Sequence, residues 1–250
     1  MIKLKSPEEI SIMQEGGKRL KRITKQLIAQ IKPGISTITI DEQAEKLILS
    51  HGGKPSFKSV KNYYWTTCLP INEQIVHTKP SKRTLVDGDI LTVDIGMLYE
   101  GFHTDYAISF IVGKNTDNKK ARFLDIGRCT LEKAILAAKS GKRIGNISQT
   151  IESEIGKNGY CVIKQLTGHG IGRQLHEDPY IPGFLEQPLD KTLLIKPGLV
   201  IAIEVIYSLG THEIKMEKHD DWSIVTEDGS LAACFEHTIA VTEKNTFVLT

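Results

Sequence analysis

The stretch LTVDIGMLYEGFHTDYAISF, residues 91–110, has the pattern of two β-strands joined by a tight turn. Apolar residues alternate with small or polar ones on both sides of a turn that we place at Tyr99 and Glu100. Each strand carries one acid, Asp94 and Asp105, and in this register the two acids lie opposite each other on one face. Like charges so close together destabilise a hairpin. The stretch therefore predicts either two solvated aspartates or a site for a divalent cation, since such ions bind carboxylate oxygens.

The composition of the whole chain is that of a globular protein. Its 250 residues are 40% apolar and 25% charged, and 32 basic and 30 acidic side chains give a formal net charge of +2. This balance does not indicate a DNA partner. No apolar run approaches the ~18 residues of a membrane span, and the first ten residues lack the apolar core of a signal peptide. The four cysteines show no metal or disulfide spacing, so we expect reduced thiols and a cytoplasmic location.

Two helices are predicted before the hairpin. Residues 6–9, Ser-Pro-Glu-Glu, form a capping box with Pro7 at the first helical position. Apolar residues follow at helical spacing, which predicts a long first helix. After Gly34, a cap at Thr39 predicts the start of a second helix, and this helix ends at the glycine pair 52–53.

The second half of the chain repeats this plan. A helix over about residues 120–139 is followed by Gly141, and a further helix begins with a cap at Asn146 and ends near Gly159. Both predicted caps lie five residues after a glycine, Gly34 or Gly141. The repetition predicts two related helix-helix-hairpin halves.

The strands repeat as well, and each repeated strand carries an acid. Asp94 lies six residues after a turn glycine, and so does Glu204 in the matching strand of the second half. The segment around Asp105 likewise parallels the segment around Glu236. Two halves related by pseudo-symmetry would bring these four acids to one cleft, so we expect residues 1–250 to form a single domain.

Four carboxylates in one cleft require compensation, because like charges and desolvation both raise their pKa values. A bound metal ion would provide it, and a histidine ligand is then expected. The glycine-rich loop TGHGIGRQLHEDP, residues 167–179, presents His169 and His176. A lone histidine is more often a structural hydrogen-bonding group. Two histidines in such a loop, in a chain with four strand-borne acids, favour a metal site.

This set of residues resembles a known family. The order acid, acid, histidine, acid, acid, with the GHGIG and FEHTI motifs, is similar to the pita-bread metallopeptidases, most closely the type I methionine aminopeptidases, over essentially the whole chain. The resemblance implies an α/β (α+β) pita-bread fold around a central antiparallel sheet and two divalent ions, of Co, Mn, Fe or Zn. It assigns Asp94 to one ion, His169 and Glu204 to the other, and Asp105 and Glu236 to both.

The resemblance also implies catalytic and substrate-binding roles. Glu204 would shuttle a proton, His176 would bind the scissile carbonyl oxygen, and His77 would contact the substrate near its scissile amide. The alternative for His77 is a surface loop residue. The residues that map to the pocket for the methionine side chain are Tyr63, Cys68, Leu175 and Trp222, and His77 and His176 complete the substrate-binding set. Each of these apolar residues fits an ordinary core position equally well.

Several positions depart from the family pattern. Thr78 follows His77 where the family has glycine, Val205 follows Glu204 where proline is typical, and Leu175 replaces a common phenylalanine. Cys68 and Asn72 do match a family stretch, whereas residues 54–67 match poorly. No departure removes a metal ligand.

The resemblance implies an enzyme that removes N-terminal methionine from nascent chains with a small second residue. It implies nascent polypeptide substrates, transient contact with the ribosome, no DNA or membrane partner and a monomeric state. Alternatives within the fold are X-Pro dipeptidases and aminopeptidase P, which carry a large N-terminal domain, and the type II enzymes, which carry an insertion after the second histidine. Only 93 residues precede Asp94, and 27 separate His176 from Glu204. A further alternative is an inactive pita-bread module that binds proteins or RNA, which should have lost ligands.

Overall fold

Four α-helices, thirteen β-strands and two short 3₁₀-helices, Phe57–Ser59 and Leu189–Lys191, make up the regular structure of the residues that the computed structural model describes, which are 2–114, 117–218 and 220–250. The helices are α1 Pro7–Ile28, α2 Thr37–Ser50, α3 Asn118–Ala137 and α4 Ile144–Gly156. The strands are β1 Lys54–Pro55, β2 Thr67–Cys68, β3 Gln74–Val76, β4 Ile90–Tyr99, β5 Phe102–Ile111, β6 Cys161–Val162, β7 Thr167–Gly170, β8 Glu177–Pro182, β9 Val200–Ser208, β10 Ile214–Met216, β11 Ile224–Thr226, β12 Ala232–Val241 and β13 Thr246–Val248.

Helix α1 begins at the predicted capping box. The Ser6 hydroxyl accepts a hydrogen bond from the Glu9 amide, and the Glu9 carboxylate accepts one from the Ser6 amide. Two otherwise unpaired amides are thereby satisfied, which fixes the start of the helix.

In the described part of the chain, no helix combines the length and the apolarity needed to cross a membrane.

The predicted caps of α2 and α4 are wrong by three residues. Helix α2 is capped by Ser36, whose hydroxyl accepts a hydrogen bond from the Thr39 amide. Helix α4 is capped at Arg143, whose amide donates to the side-chain oxygen of Asn146. Thr39 and Asn146 therefore occupy the third helical position, where a polar residue completes the cap from inside the helix.

The predicted duplication of the two halves persists in the backbone. The Gly34 amide donates to the Leu85 carbonyl oxygen at 2.8 Å, and the Gly141 amide donates to the Ile195 carbonyl oxygen at 3.0 Å. Both glycines have positive φ, 88° and 79°, which L-residues rarely adopt. Equivalent turns thus connect the two helices of each half to the strand that carries its first acid.

One antiparallel sheet runs through both halves, in the order β1-β4-β5-β12-β9-β7-β8. All four helices pack against one face of this sheet, α1 and α2 over β4, and α3 and α4 over β9 and β12. Alternate residues of β4, such as Val93 and Ile95, point into this core, and alternate residues of β9, such as Ile203 and Val205, do the same. Since side chains alternate along a strand, Asp94 and Glu204 point to the opposite face.

The predicted register of the β4–β5 hairpin is wrong by two residues. Tyr99 pairs with Phe102, so the turn is Glu100 and Gly101 rather than Tyr99 and Glu100. Both turn residues have positive φ, 46° and 82°, as in the tight turns that suit the twist of a hairpin. Asp94 lies opposite Ala107 and Asp105 opposite Gly96. A shift of two residues preserves the face, so the two acids remain on the same side as diagonal neighbours.

Candidate metal centre

Three of the predicted acids lie in one row across the central sheet. Asp94 on β4 is opposite Ala107 on β5, Ala107 is opposite Glu236 on β12, and Glu236 is opposite Glu204 on β9. Neighbouring strands are about 4.8 Å apart, so the Glu236 and Glu204 carboxylates come close together, while Asp94 lies on the far side of Ala107. Cys68 on β2 extends the row beyond Asp94.

The other two predicted ligands lie in the next row on the same face. Asp105 is held beside Thr238, whose hydroxyl accepts from the Asp105 amide at 2.8 Å and lies 2.9 Å from the Asp105 carbonyl oxygen. Thr238 is opposite Ala202, and Ala202 is opposite His169 on β7. The rows are two residues apart along every strand, so all five side chains project from one patch of the sheet.

Direct distances confirm that the side chains converge. One potential ligand atom each from Asp105, His169 and Glu236 lies within 4.8 Å of the other two. Nε2 of His169 is 3.6 Å from Oε1 of Glu204. Nδ1 of His169 is 2.9 Å from the Gly170 carbonyl oxygen, which can only accept, so Nδ1 carries the proton. The lone pair of Nε2 is therefore directed toward the acids, as in a metal-binding histidine.

Burial and mutual repulsion shift the pKa values of the clustered side chains. Desolvation raises the pKa of Asp105 to about 7, and desolvation together with the Asp105 charge raises the pKa of Glu204 to about 8. Desolvation and neighbouring carboxylates raise the pKa values of Asp94 and Glu236 well above their ordinary range. Desolvation, and then the nearby His176, lowers the pKa of His169 to about 4. The result is a neutral imidazole beside four carboxyl groups that hold their protons more tightly than solvated acids do.

The side chains present fit a divalent cation. Oε1 of Glu236 is buried and has no hydrogen-bond partner in the described part of the protein. A buried acceptor without a partner costs free energy, and a cation would remove that cost. Carboxylate oxygens together with one neutral imidazole are donors that divalent ions such as Mn, Fe, Co and Zn accept.

His176 and His77 lie at the exposed edge of the cluster. The His176 ring is 4.5 Å from the His169 ring, measured between centroids, in an edge-to-face arrangement. Desolvation in the cleft lowers the pKa of His176, and desolvation followed by the His176 charge lowers the pKa of His77. Both rings are therefore neutral near pH 7 and each offers one N–H donor. His77 has φ 56°, so its backbone is in the left-handed region although the next residue is Thr78.

All eleven predicted site residues line a single cavity of about 160 Å³. Its lining comprises Phe57, Val60, Tyr63, Cys68, Val76, His77, Asp94, Asp105, His169, Leu175, His176, Glu204, Trp222 and Glu236. The acids and His169 form the floor, on the sheet, and the apolar residues form a wall. A cavity with one apolar side and a few convergent polar groups is typical of a small-ligand site.

The apolar wall is fixed by polar contacts behind it. The Tyr63 hydroxyl donates to the Thr67 carbonyl oxygen at 2.8 Å and lies 3.2 Å from Sγ of Cys68. The rings of Tyr63 and Trp222 are 5.1 Å apart in an edge-to-face contact. Leu175 is 5% exposed and packs in the same cluster. Its smaller side chain leaves more room than a phenylalanine would.

Sequence reasoning missed some residues of the site. Phe57, Val60 and Val76 also line the cavity, and the first two lie in residues 54–67, where the family pattern gives no guidance. His103 does not line the cavity but lies close to His176: it is buried, with Nδ1 2.9 Å from the Ser56 hydroxyl, and its pKa is lowered to about 4 by desolvation and then by His176. A signal for His103 was available, because it lies two residues before Asp105 and so shares its face.

Asn72 does not line the cavity, although it matches the family stretch. Its amide group donates to Oδ1 of Asp89 at 2.9 Å, and its side-chain oxygen accepts from the Ile90 amide at 3.0 Å. Its φ is 57°. Asn72 therefore shapes the turn that leads to β3 rather than the wall of the cavity.

Two pseudo-symmetric halves with a carboxylate–histidine cluster on their shared sheet define a protein of the pita-bread metallohydrolase class. The sequence profile of metallopeptidase family M24 matches residues 11–243, and this chain belongs to that family. The predicted family and the predicted fold class are thus confirmed.

Relatives and solved structures agree with this assignment. The chain is 40% identical over 250 residues to methionine aminopeptidase 1 of Bacillus subtilis, an alignment that covers 100% of this chain and 99% of the relative. It matches the crystal structure of the Thermotoga maritima methionine aminopeptidase with a TM-score of 0.95 at 36% identity, covering 100% of this chain and 99% of that one. The prolidase of Pyrococcus furiosus gives a TM-score of 0.79 at 23% identity, with 99% of this chain and 65% of that chain covered, which shows a shared fold alone.

Proposed function

We propose that this chain is a metal-dependent methionine aminopeptidase, which releases the N-terminal methionine of polypeptides with a small second residue. The observation that carries the proposal is the convergence of all five ligand-type side chains on the floor of one cavity with an apolar wall. Similarity over the full length to methionine aminopeptidases supports the same activity.

The five ligand-type residues are proposed to hold two divalent ions. Asp94 would bind one ion, His169 and Glu204 would bind the other, and Asp105 and Glu236 would bind both. The unpaired Oε1 of Glu236 and the proton-free Nε2 of His169 support these two residues as ligands. Such a metal pair would lower the pKa of a water molecule into the neutral range and polarise the scissile carbonyl.

The side chains around this centre supply the proton transfers and the hydrogen bonds. Glu204 lies on the cavity floor beside His169, where its carboxylate would accept a proton from a metal-activated water molecule and return it later in the reaction. His176 is a neutral donor beside the His169 ring, and it stabilises the carbonyl oxygen as negative charge develops there. His77, at the cavity mouth, contacts the substrate amide.

The apolar wall is proposed to bind the side chain of the first substrate residue. Tyr63, Cys68, Leu175 and Trp222 form a surface for an unbranched apolar side chain. The contact between Tyr63 and Trp222 keeps this surface rigid, so it selects by shape. A charged side chain would lose its hydration there with no partner of opposite charge on the wall.

A broader first-residue specificity is the second candidate function, and the smaller Leu175 favours it.

We also propose the cellular setting in which the enzyme acts. The substrates would be nascent chains, and the enzyme would act as a monomer in the cytoplasm, with transient contact to the ribosome. The four unpaired cysteines fit a reducing compartment.

Catalytic efficiency on a peptide panel tests the proposed function. We expect Met-Ala-Ser to be the best substrate, norleucine at the first position to differ little, Leu-Ala-Ser to react more slowly and Lys-Ala-Ser not to react. One methylene or branch is worth only about 1–3 kcal/mol in an apolar pocket, whereas a buried charge costs far more. The matched variant Leu175→Phe should increase the preference for methionine over leucine. Preference for leucine or lysine, or cleavage restricted to peptides with proline second, would contradict the proposal.

A further inference from the structure

A buried ion pair involves Glu177, the residue that follows His176. Nζ of Lys5 is 2.6 Å from Oε2 of Glu177, and each side chain is only 4% exposed. Among the described residues, every other ion pair between a lysine or arginine and a carboxylate has at least one side chain more than 10% exposed. The pair joins residues 172 positions apart in the chain, so it links two segments that local structure does not connect.

Lys5 belongs to an N-terminal segment that is itself firmly held. Its amide donates to the Gly198 carbonyl oxygen at 2.7 Å, in the turn that leads into β9 and so to Glu204. The next residue, Ser6, caps α1. Nζ of Lys5 also donates to the Lys3 carbonyl oxygen at 3.0 Å. Lys5 is therefore held both at its backbone and at its ammonium group.

Glu177 belongs to the turn that presents His176. Its second oxygen, Oε1, accepts from the Gln174 amide at 3.1 Å, and the Gln174 carbonyl oxygen accepts from the Gly172 amide at 3.1 Å. Gly172 packs against Lys5, since a Cβ at Gly172 would lie 2.3 Å from Cε of Lys5. The whole of the 171–177 turn is thus organised around the Lys5–Glu177 pair.

A buried ion pair contributes little to stability compared with an apolar pair of the same size, because both charges lose their hydration. The effect of the Lys5–Glu177 pair comes instead from the two segments that it holds together. We propose that Lys5 and Glu177 are positioning residues for His176: their ion pair fixes the 171–177 turn against the N-terminal segment, and so fixes the His176 ring relative to His169 and the acids. This inference rests on the proposed function, in which His176 stabilises the reacting carbonyl oxygen.

The test variant is the double substitution Lys5→Met/Glu177→Gln. It removes both charges together, so that no buried charge is left alone, and the glutamine oxygen can still accept from the Gln174 amide. We expect kcat on Met-Ala-Ser to fall by about tenfold or more, since small misplacements of a catalytic group are costly, while KM and metal content stay near the wild-type values. The single variant Lys5→Arg keeps the charge and should recover part of the rate.

The matched control is Glu9→Gln. Glu9 pairs with Arg173 at 2.9 Å, which links the same N-terminal region to the same turn, but this pair is exposed. Glutamine at position 9 preserves the cap of α1. The control should keep the wild-type kcat, and an equal loss of kcat in the control would overturn the proposal, because any link between the two segments would then serve.

Combining the substitutions with His176→Ala separates positioning from general stability. If the ion pair acts through His176, the double substitution should have no further effect on kcat in the His176→Ala protein. An undiminished further loss of kcat in that background would overturn the proposal and assign the pair to stability alone.

Failure of the proposed function would be recognised separately, as a wild-type protein that releases no methionine with any added metal. Amide hydrogen exchange then decides the positioning claim. We expect the amides of Gly172 and Gln174 to exchange faster in Lys5→Met/Glu177→Gln than in wild type, and to stay unchanged in Glu9→Gln. Unchanged exchange in the double variant would overturn the claim.

Discussion

At the scale of single residues, the candidate site is indicated by acidic residues at positions where the strand pattern favours apolar ones. Asp94 and Asp105 occupy strand positions in a stretch rich in apolar residues, where a carboxylate is costly. The repeat of the same pattern at Glu204 and Glu236 indicated a shared site, and the structure brings all four acids to one patch of the sheet with His169. The ligand roles of these residues stay predictions.

His176 provides the sharpest test at this scale. Replacing it with alanine should leave metal content nearly unchanged, because His176 is not among the five ligand-type residues. The catalytic rate should fall by about 10²- to 10³-fold, the usual effect of losing one hydrogen-bond donor to a developing oxyanion. Steady-state kinetics together with metal analysis of the purified variant measures both. A variant that loses its metal would make His176 a ligand instead.

Some residues of the site could not be predicted from the sequence. Lys5 and Glu177 are far apart in the chain, and only the folded sheet brings them together. Phe57 and Val60 are ordinary apolar residues whose place in the cavity wall depends on the course of an irregular segment. The ligand-type residues were predictable because strand periodicity and a recognisable motif order both identify them.

At the scale of secondary structure elements, the sequence predicted the four helices and the two acid-bearing hairpin strands, but not the register. The β4–β5 turn was misplaced because Glu100 adopts a positive φ, which a non-glycine residue rarely adopts, and Gly101 was then the single sequence signal for a turn at residues 100–101. Helix caps were misplaced where the side chain of the third helical residue, Asn146, was mistaken for the cap itself.

The hairpin turn makes a prediction about stability. Glu100→Asn should stabilise the protein by a few tenths to about 1 kcal/mol, since asparagine tolerates a positive φ better than glutamate does. Gly101→Ala should destabilise it, because φ is 82° there. Urea unfolding of the two variants and wild type measures both changes. Equal stability of Gly101→Ala and wild type would contradict the assigned turn.

At the scale of the whole molecule, two similar halves contribute to one sheet, and neither half contains the complete cluster. Asp94 and Asp105 come from the first half, and His169, Glu204 and Glu236 from the second. Each half covers its side of the sheet with its own pair of helices. The cavity lies on the opposite face of the sheet. The ionisable groups of the cavity make the stability of the whole protein depend on pH.

Without metal, the protein should become less stable as the pH rises from about 6.5 to 8. Asp105 and Glu204 have folded-state pKa values of about 7 and about 8, above those of the unfolded chain, so the folded state binds more protons in this range. Stability from these groups is present below their unfolded pKa and is lost as the pH passes the folded values. Thermal unfolding after chelation measures the trend.

The histidines oppose this trend only in the lower part of the pH window. His103, His169 and His237 have pKa values lowered to about 4, so their effect has the opposite sign and is nearly complete at about pH 7.5, one unit above the ordinary histidine pKa. Glu204→Gln is the matched control and should reduce the loss of stability between pH 6.5 and 8. Added divalent cation should reverse the loss in wild type. A metal-free protein that gains stability over this range would contradict the assigned electrostatics.

Methionine release from Met-Ala-Ser, compared with release from Met-Lys-Ser, tests the central claim most directly. The protein is first treated with chelator and then supplied separately with Mn, Fe, Co or Zn. We predict release from Met-Ala-Ser that requires at least one of these metals, is much slower from Met-Lys-Ser, and is abolished by Asp105→Asn, which removes a carboxylate proposed to bind both ions. Release that persists without metal, normal activity of Asp105→Asn, or no release with any of the four metals would contradict the account.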